Sequence, residues 1–158
     1  MKVLAMRVTK RTNIAMRVLM FCAANHGRLV TKSEIAVRCN ASENHLAQII
    51  NQLAQLGYLH TQRGRNGGLE LARPAEKITI GEIFRQLEAP VPLAECFADV
   101  DNTCPLTDAC RLRTGIARAV AAFYAEMGTM TLEDLVRDNC ALAALMTLED
   151  LPETACAV

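Results

Sequence analysis

The stretch VTKSEIAVRCNASENHLAQIINQLAQLGYLHTQRGRNGGLEL, residues 30–71, decides the fold of this chain. Within it, Thr31 and Glu34 form a T-x-x-E pair, which is the capping box that opens a helix. Ser42 can cap a second helix, and Gly57 is a residue type that commonly ends one. Apolar residues recur along this second helix at steps of three and four: Leu46, Ile49, Ile50, Leu53 and Leu56. The stretch therefore predicts two helices joined by a tight turn.

A basic hairpin is predicted directly after these helices. Residues 58–61 alternate apolar and polar side chains, and so do Leu69 and Leu71 with their neighbours. Between them, the turn at residues 63–68 is rich in glycine and carries two arginines. A helix-turn-helix followed by such a hairpin is a winged helix, so the predicted fold class is mainly α with a small β-wing.

Helices are also predicted in the rest of the chain from apolar spacing and capping residues. They cover residues 8–25, capped by Thr9 or Thr12; the segment from the Thr79–Glu82 pair to Leu87; residues 107–127; and the segment from the Thr131–Asp134 pair to about Asp138. The predicted domains are a winged-helix DNA-binding domain (1–88), a cysteine loop (89–111), a dimerisation helix with a following short helix (112–140) and an acidic tail (141–158). The long helix is rich in alanine, which suits close packing against a partner helix.

The net charge of zero hides a division along the chain. Residues 1–85 carry thirteen Lys or Arg and five Asp or Glu, a net charge of +8, and residues 86–158 carry −8. A basic N-terminal half favours a polyanionic partner, most simply double-stranded DNA. The residues predicted to contact DNA lie at the starts of the two helices and in the hairpin turn: Lys32, Ser33, Ser42, Glu43, Asn44, His45, Gln48, Arg63, Arg65, Asn66, Gly67 and Gly68.

Composition narrows the class of protein further. No apolar run approaches the roughly 18 residues of a membrane helix, and we see no secretion signal, so a cytoplasmic location is expected. The three histidines are scattered, without a partner base or paired carboxylates, so we expect no enzymatic activity.

Three cysteines share one short segment, Cys96, Cys104 and Cys110, with the spacing C-x7-C-x5-C. Neither interval is the C-x2–4-C knuckle of structural zinc sites, whereas iron–sulfur clusters accept looser spacing. The alternatives are reactive loop thiols without a cluster, including a Cys96–Cys104 disulfide. By contrast, Cys22 lies on the apolar face of the first helix and is predicted to be a core thiol.

Four segments carry a resemblance to a known family: MRVTKRTNIAMR (6–17), ASENHLAQIINQL (41–53), GYLHTQRGRNGGLELARPAEKITIGEIF (57–84) and ECFADVDNTCPLTDACRL (95–112). In this order they resemble the Rrf2 family of winged-helix repressors, and most of all its nitric-oxide-sensing members. The resemblance implies a homodimer joined through the long helix near 107–127 and a repressor of transcription that binds operator DNA. It also implies an iron–sulfur cluster, 4Fe-4S or 2Fe-2S, on Cys96, Cys104 and Cys110, with nitric oxide as effector.

The fourth cluster ligand is where this sequence departs from the family pattern. Nitric-oxide-sensing members use an aspartate of the partner's first helix, and Asn13 holds that position here. Water, a small thiol, the amide of Asn13 or a carboxylate such as Glu95 are the candidates. Iron-responsive members share the asparagine, which keeps an iron or redox signal as the alternative function. A thiol switch or cluster carrier, with the winged helix as an interaction module, is the alternative from another class.

Overall fold

A computed structural model describes residues 8–88, 92–98 and 100–146. The helices are α1 (Lys10–Ala24), α2 (Lys32–Cys39), α3 (Glu43–Gln55), α4 (Ile80–Glu88), α5 (Arg111–Thr129), α6 (Leu132–Val136) and α7 (Cys140–Met146). The strands are β1 (Leu59–Gln62) and β2 (Gly68–Leu71), and single 3₁₀ turns lie at Ala75–Lys77 and Glu95–Phe97. The chain forms two compact units, one from residues up to Ile78 together with those from Thr131, the other from Thr79–Met130.

The predicted helix-turn-helix is confirmed, with its caps. The Thr31 hydroxyl accepts from the Glu34 N–H at 3.2 Å, while the Glu34 carboxylate accepts from the Thr31 N–H at 2.6 Å. Helix α2 ends before Asn40, whose left-handed backbone (φ 48°) turns the chain toward α3. The Ser42 hydroxyl then caps α3 by accepting from the His45 N–H. The apolar face of α3 is buried, because Leu46, Ile49, Ile50 and Leu53 point into the core.

The wing is a two-stranded antiparallel hairpin, as predicted. Its register pairs Leu59 with Leu71 and Gln62 with Gly68. A further bridge ties β2 to the segment before α2, since the N–H groups of Val30 and Leu69 donate to each other's carbonyls at 3.0 and 2.8 Å. Both of these side chains are buried. The wing is therefore fastened to the helix-turn-helix at its base.

Helix α1 supplies the centre of the first unit. Its N-cap is Thr9, one of the two predicted caps, and its buried residues are Thr12, Ile14, Ala15, Val18, Leu19, Phe21, Cys22 and Ala23. The amide of the buried Asn25 donates to the carbonyls of Phe21 and Met146, both at 2.8 Å, which joins the end of α1 to the end of α7. Helix α7 was not predicted, and residues 141–146 belong to it rather than to a tail. The remainder of the predicted tail lies outside the described residues.

In the second unit, α4 packs against α5. The Phe84 and Phe123 rings meet edge to face at 5.8 Å, and a Cβ at Gly81 would lie 2.7 Å from the Gly128 nitrogen, so this position has no room for a side chain. Helix α5 begins at Arg111, four residues later than predicted, and ends two residues later, while α6 ends two residues earlier. None of the described helices is both long and apolar enough to cross a membrane.

Candidate nucleic-acid interface and metal centre

The start of α3 presents polar side chains that are available for a partner. Asn44 and Gln48 are exposed and His45 is half-buried. Within the described part of the chain, the side chains of Asn44 and Gln48 make no hydrogen bond. Asn and Gln can each form paired hydrogen bonds with an adenine edge. The exposed face of α3 thus has the chemistry predicted for a recognition helix.

Three of the predicted DNA contacts already bind one another. The Glu43 carboxylate accepts from the Ser33 hydroxyl at 2.9 Å and pairs with the Lys32 ammonium at 3.2 Å. The hydrogen bond from Ser33, then the hydrogen bond and charge of Lys32, lower the pKa of Glu43. This network ties the start of α2 to the start of α3. Lys32 and Ser33 can therefore bind a DNA phosphate only after they release Glu43. This network was not predicted, because Ser33 and Lys32 lie ten and eleven positions before Glu43, on a different helix.

The wing tip offers two cations. Arg63, Arg65 and Asn66 are exposed, and none of their side chains binds another described residue. The two adjoining glycines have structural roles of their own. The Gly67 N–H donates to the Gly64 carbonyl at 3.0 Å, and a Cβ at Gly68 would lie 2.8 Å from the Val30 carbonyl oxygen. Direct contact of these glycines with DNA stays a prediction.

The three predicted cluster ligands lie in one hydrogen-bonded segment of the second unit. Cys96 is in the 3₁₀ turn, Cys110 immediately precedes α5, and Cys104 lies between them. All three thiols are free and half-buried, so the Cys96–Cys104 disulfide considered above is not formed. Over residues 8–88, 92–98 and 100–146, no three His, Cys, Asp or Glu side chains converge closely enough to hold a metal ion. The donor type fits an iron–sulfur cluster, but this conformation does not gather the donors around one point.

Two bridges fasten the cysteine-bearing segments to each other. Oε1 of Glu95 accepts from both the N–H and the hydroxyl of Thr103 at 2.6 Å. These hydrogen bonds lower the pKa of Glu95. The Arg113 Nε donates to the Cys96 carbonyl at 3.0 Å, and its guanidinium lies over the Phe97 ring at 5.6 Å. Each bridge therefore involves a cysteine or the neighbour of one.

Cys110 is also the N-cap of α5. Its Sγ accepts from the Arg113 N–H at 3.4 Å, in the position that a Ser, Thr, Asp or Asn oxygen usually takes. Neither this cap nor the two bridges was predicted. The residues carry no familiar capping pattern, and Glu95 and Thr103 are eight positions apart in a loop.

Asn13 is exposed on α1, within the first unit, while the three cysteines lie in the second. The fourth ligand therefore stays a prediction.

Cys22 is a core thiol, as expected, and burial followed by the charge of Cys39 raises its pKa to about 12. Cys39 is buried as well, and its Sγ–H donates to the Arg17 carbonyl at 3.7 Å.

A groove of about 850 Å³ opens in the first unit between the end of α1, the end of β2 and helices α6 and α7. Cys22, His26 and Arg137 are among the residues that line it. None of the residues predicted to contact DNA or metal reaches it.

Comparisons with known proteins agree with this architecture. Residues 8–138 match the Rrf2 family, described as "Iron-dependent Transcriptional regulator". The chain is 40% identical over 154 residues to Protein aau3 of Rhizobium meliloti (strain 1021). This alignment covers 96% of this chain and 100% of that protein. It is 41% identical over 142 residues to the HTH-type transcriptional regulator NsrR of Geobacillus kaustophilus (strain HTA426), covering 89% of this chain and 97% of that one.

Solved structures share the fold. T. potens IscR superimposes with a TM-score of 0.67 at 24% identity, covering 92% of this chain and 95% of that one. B. subtilis CymR, the global cysteine regulator, gives a TM-score of 0.61 at 27% identity, covering 84% of this chain and 97% of that one. Both likenesses extend over the winged helix and beyond it.

Proposed function

Because the chain belongs to the Rrf2 family of iron-dependent transcriptional regulators, we propose that it represses transcription in response to nitric oxide, sensed through an iron–sulfur cluster. It is a winged-helix DNA-binding regulator and not an enzyme. The observation that carries the finer proposal is the presence of three free, half-buried cysteines in the segment that leads into α5. The likeness to an NsrR protein over 89% of the chain supports nitric oxide as the effector.

Cys96, Cys104 and Cys110 would hold the cluster through their thiolates. When bound, such a cluster would supply iron that reacts with nitric oxide. Asn13 of a partner subunit, Glu95, water or a small thiol are the candidates for the remaining ligand. In this proposal, the sulfur of Cys110 is both a ligand and the cap of α5. A change at that sulfur would therefore reach the first turn of the long helix directly.

DNA binding would use two copies of the chain. In the described part of a single chain, no residue of the 19-residue helix α5 is fully buried, which leaves it a surface for a second subunit. A homodimer presents two copies of α3 and two wings, so its operator would be pseudo-palindromic. Asn44, His45 and Gln48 would face base edges, while Arg63 and Arg65 would contact phosphates or the minor groove.

The test is to purify the chain without oxygen and to measure its iron, its sulfide, its visible spectrum and its operator binding before and after nitric oxide. We expect a coloured protein that binds operator, and loss of both colour and binding after nitric oxide. A colourless, metal-free protein that binds operator equally well with and without nitric oxide would contradict the proposal and favour a thiol switch.

Two variants make this test specific. Cys104→Ser should lose iron, sulfide and the response to nitric oxide. Asp108→Asn changes an exposed side chain of the same segment and should behave like the wild type. Equal iron content in the two variants would remove Cys104 from the ligand set.

A second candidate signal is iron itself. It is favoured by the description of the family and by the neutral Asn13 in place of an aspartate. Operator binding measured during anaerobic titration with a ferrous chelator separates the two signals. An iron sensor should release the operator at mild chelation, whereas a nitric-oxide sensor should retain it until nitric oxide is added.

A further inference from the structure

The cysteine segment is held together by side chains that are not cysteines. Glu95 precedes Cys96 in the chain, and Thr103 precedes Cys104. The two hydrogen bonds between Glu95 and Thr103, both 2.6 Å long, therefore join the backbone next to one thiol to the backbone next to another.

Arg113 connects the third thiol, Cys110, to the segment that carries Cys96. It lies in the first turn of α5, which Cys110 caps, and its Nε–H donates to the Cys96 carbonyl. The Phe97 ring lies under the guanidinium at 5.6 Å and limits the directions in which this side chain can point. Cys96 is thus linked on one side to the Cys104 segment and on the other to the Cys110 segment.

We propose that Glu95 and Arg113 are positioning residues that hold the three cysteine-bearing segments together before any inorganic centre binds. This inference rests on the proposed cluster function and assigns Glu95 a role other than fourth ligand. The bridges join backbone segments, so gathering the three thiols requires side-chain rotation and small loop shifts rather than ordering of a free loop. Residues that orient metal ligands in this way typically change metal affinity by about 10- to 100-fold when they are mutated.

The first measurement uses the metal-free protein and does not depend on a cluster. Hydrogen–deuterium exchange of the segment around Thr103 should be faster in Glu95→Gln and Thr103→Val than in the wild type. Arg113→Gln should accelerate exchange around Cys96 and Phe97. Matched controls are Glu126→Gln and Arg111→Gln, whose exposed side chains on α5 bind no other described residue. Unchanged exchange in all three loop variants would overturn the proposal.

The second measurement is anaerobic reconstitution with ferrous iron and sulfide, followed by challenge with a chelator. The three loop variants should lose iron roughly 10- to 100-fold faster than the wild type and both controls. Equal retention in the loop variants and a loaded wild type would contradict the positioning role and leave the cluster proposal standing. A wild type that takes up no iron or sulfide would overturn the cluster proposal, while the exchange data would still test the bridges.

Thr103→Val separates positioning from ligation. If Glu95 holds the segments through Thr103, the two single variants should shift retention in the same direction, and the double variant should add little. If Glu95 is instead an iron ligand, Glu95→Gln alone should change the electronic spectrum of the loaded protein, and Thr103→Val should retain iron as the wild type does. That second pattern would overturn the inference.

Discussion

Arg65 lies at the tip of the wing, exposed and without a partner among the described side chains. Its guanidinium is therefore available for a phosphate without first breaking an internal ion pair. Lys32 differs, because it must leave Glu43. At the scale of single residues, we therefore expect the wing arginines to supply DNA affinity that does not depend on the base sequence.

Arg65→Ala should weaken operator and nonspecific DNA binding by similar factors and lower the salt dependence of binding by about one counterion. Fluorescence anisotropy at several salt concentrations measures both quantities. The control is Lys77→Ala, which removes an exposed cation outside the helix-turn-helix and the wing. A loss confined to the operator would indicate base readout by Arg65 rather than backbone contact.

Two glycines should respond in opposite ways to the same change. At Gly68 a Cβ would lie 2.8 Å from the Val30 carbonyl and 2.9 Å from the Leu29 Cβ, so Gly68→Ala should destabilise the fold by about 1–3 kcal/mol. At Gly115, inside α5, a Cβ meets no atom of the same subunit within 4 Å, so Gly115→Ala should stabilise a subunit made monomeric by Ala119→Arg by roughly 0.5–1 kcal/mol. Urea unfolding at one fixed protein concentration measures both. If the two substitutions changed the free energy of unfolding equally, the segment around Val30 and Leu29 would have to move aside for a Cβ at Gly68 more easily than the short distances indicate.

Among the elements, α6 is held by a cap that depends on pH. The Asp134 carboxylate accepts from the Thr131 N–H at 2.8 Å and from its hydroxyl at 2.7 Å, and these bonds lower the pKa of Asp134 below its ordinary value of 3.8. A carboxylate whose pKa is lower in the folded state than in the unfolded state stabilises the fold. This stabilisation is complete at pH values above the unfolded-state pKa. That contribution is lost as pH falls through the lower, folded-state pKa.

Asp134→Asn should therefore lower the free energy of unfolding near neutral pH. On acidification, the variant should lose less of its stability than the wild type does. Unfolding midpoints from about pH 6 to about pH 3 measure the difference between the two proteins. Asp138→Asn, which changes an exposed carboxylate just beyond α6, should follow the wild-type pH profile. Parallel pH profiles for wild type and Asp134→Asn would show that the cap contributes nothing.

The elements also show how far the sequence could be interpreted. Thr31 with Glu34 and Thr131 with Asp134 were predictable because both partners of each cap lie within one turn. The start of α5 was misplaced because the Thr107 hydroxyl donates to the Cys104 carbonyl inside the loop, while a thiol takes the capping position. Helix α7 was missed although Asn139 marks its start, its side-chain oxygen accepting from the Leu142 N–H at 3.1 Å. Contacts between distant positions, such as Lys32 with Glu43, leave no local pattern.

At the scale of the whole molecule, helix α5 has an exposed face that could contact a second subunit. Leu112 is 71% exposed, and Gly115, Ala119 and Ala122 follow it at steps of three and four on one face. Such a stripe of small residues allows two helices to approach closely. We expect it to join two subunits.

Ala119→Arg should convert a dimer into a monomer in sedimentation analysis and weaken operator binding, because half of the contacts with a two-fold operator are lost. Ala117→Arg places the same side chain on a different exposed face of α5 and should leave the dimer intact. A dimer that tolerates Ala119→Arg would place the subunit interface elsewhere.

The bridge between Val30 and Leu69 has a consequence for the evolution of binding sites. It anchors the wing to the segment that leads into α2, so wing and recognition helix should travel as one rigid body. If α3 contacts bases and the wing contacts a neighbouring groove, as proposed, a rigid unit cannot stretch to accommodate an extra base pair between these two contacts. Selection should therefore remove insertions and deletions within a half-site from the promoters that this protein regulates. The spacing between half-sites would be limited only by the distance that the two subunits of the dimer can span.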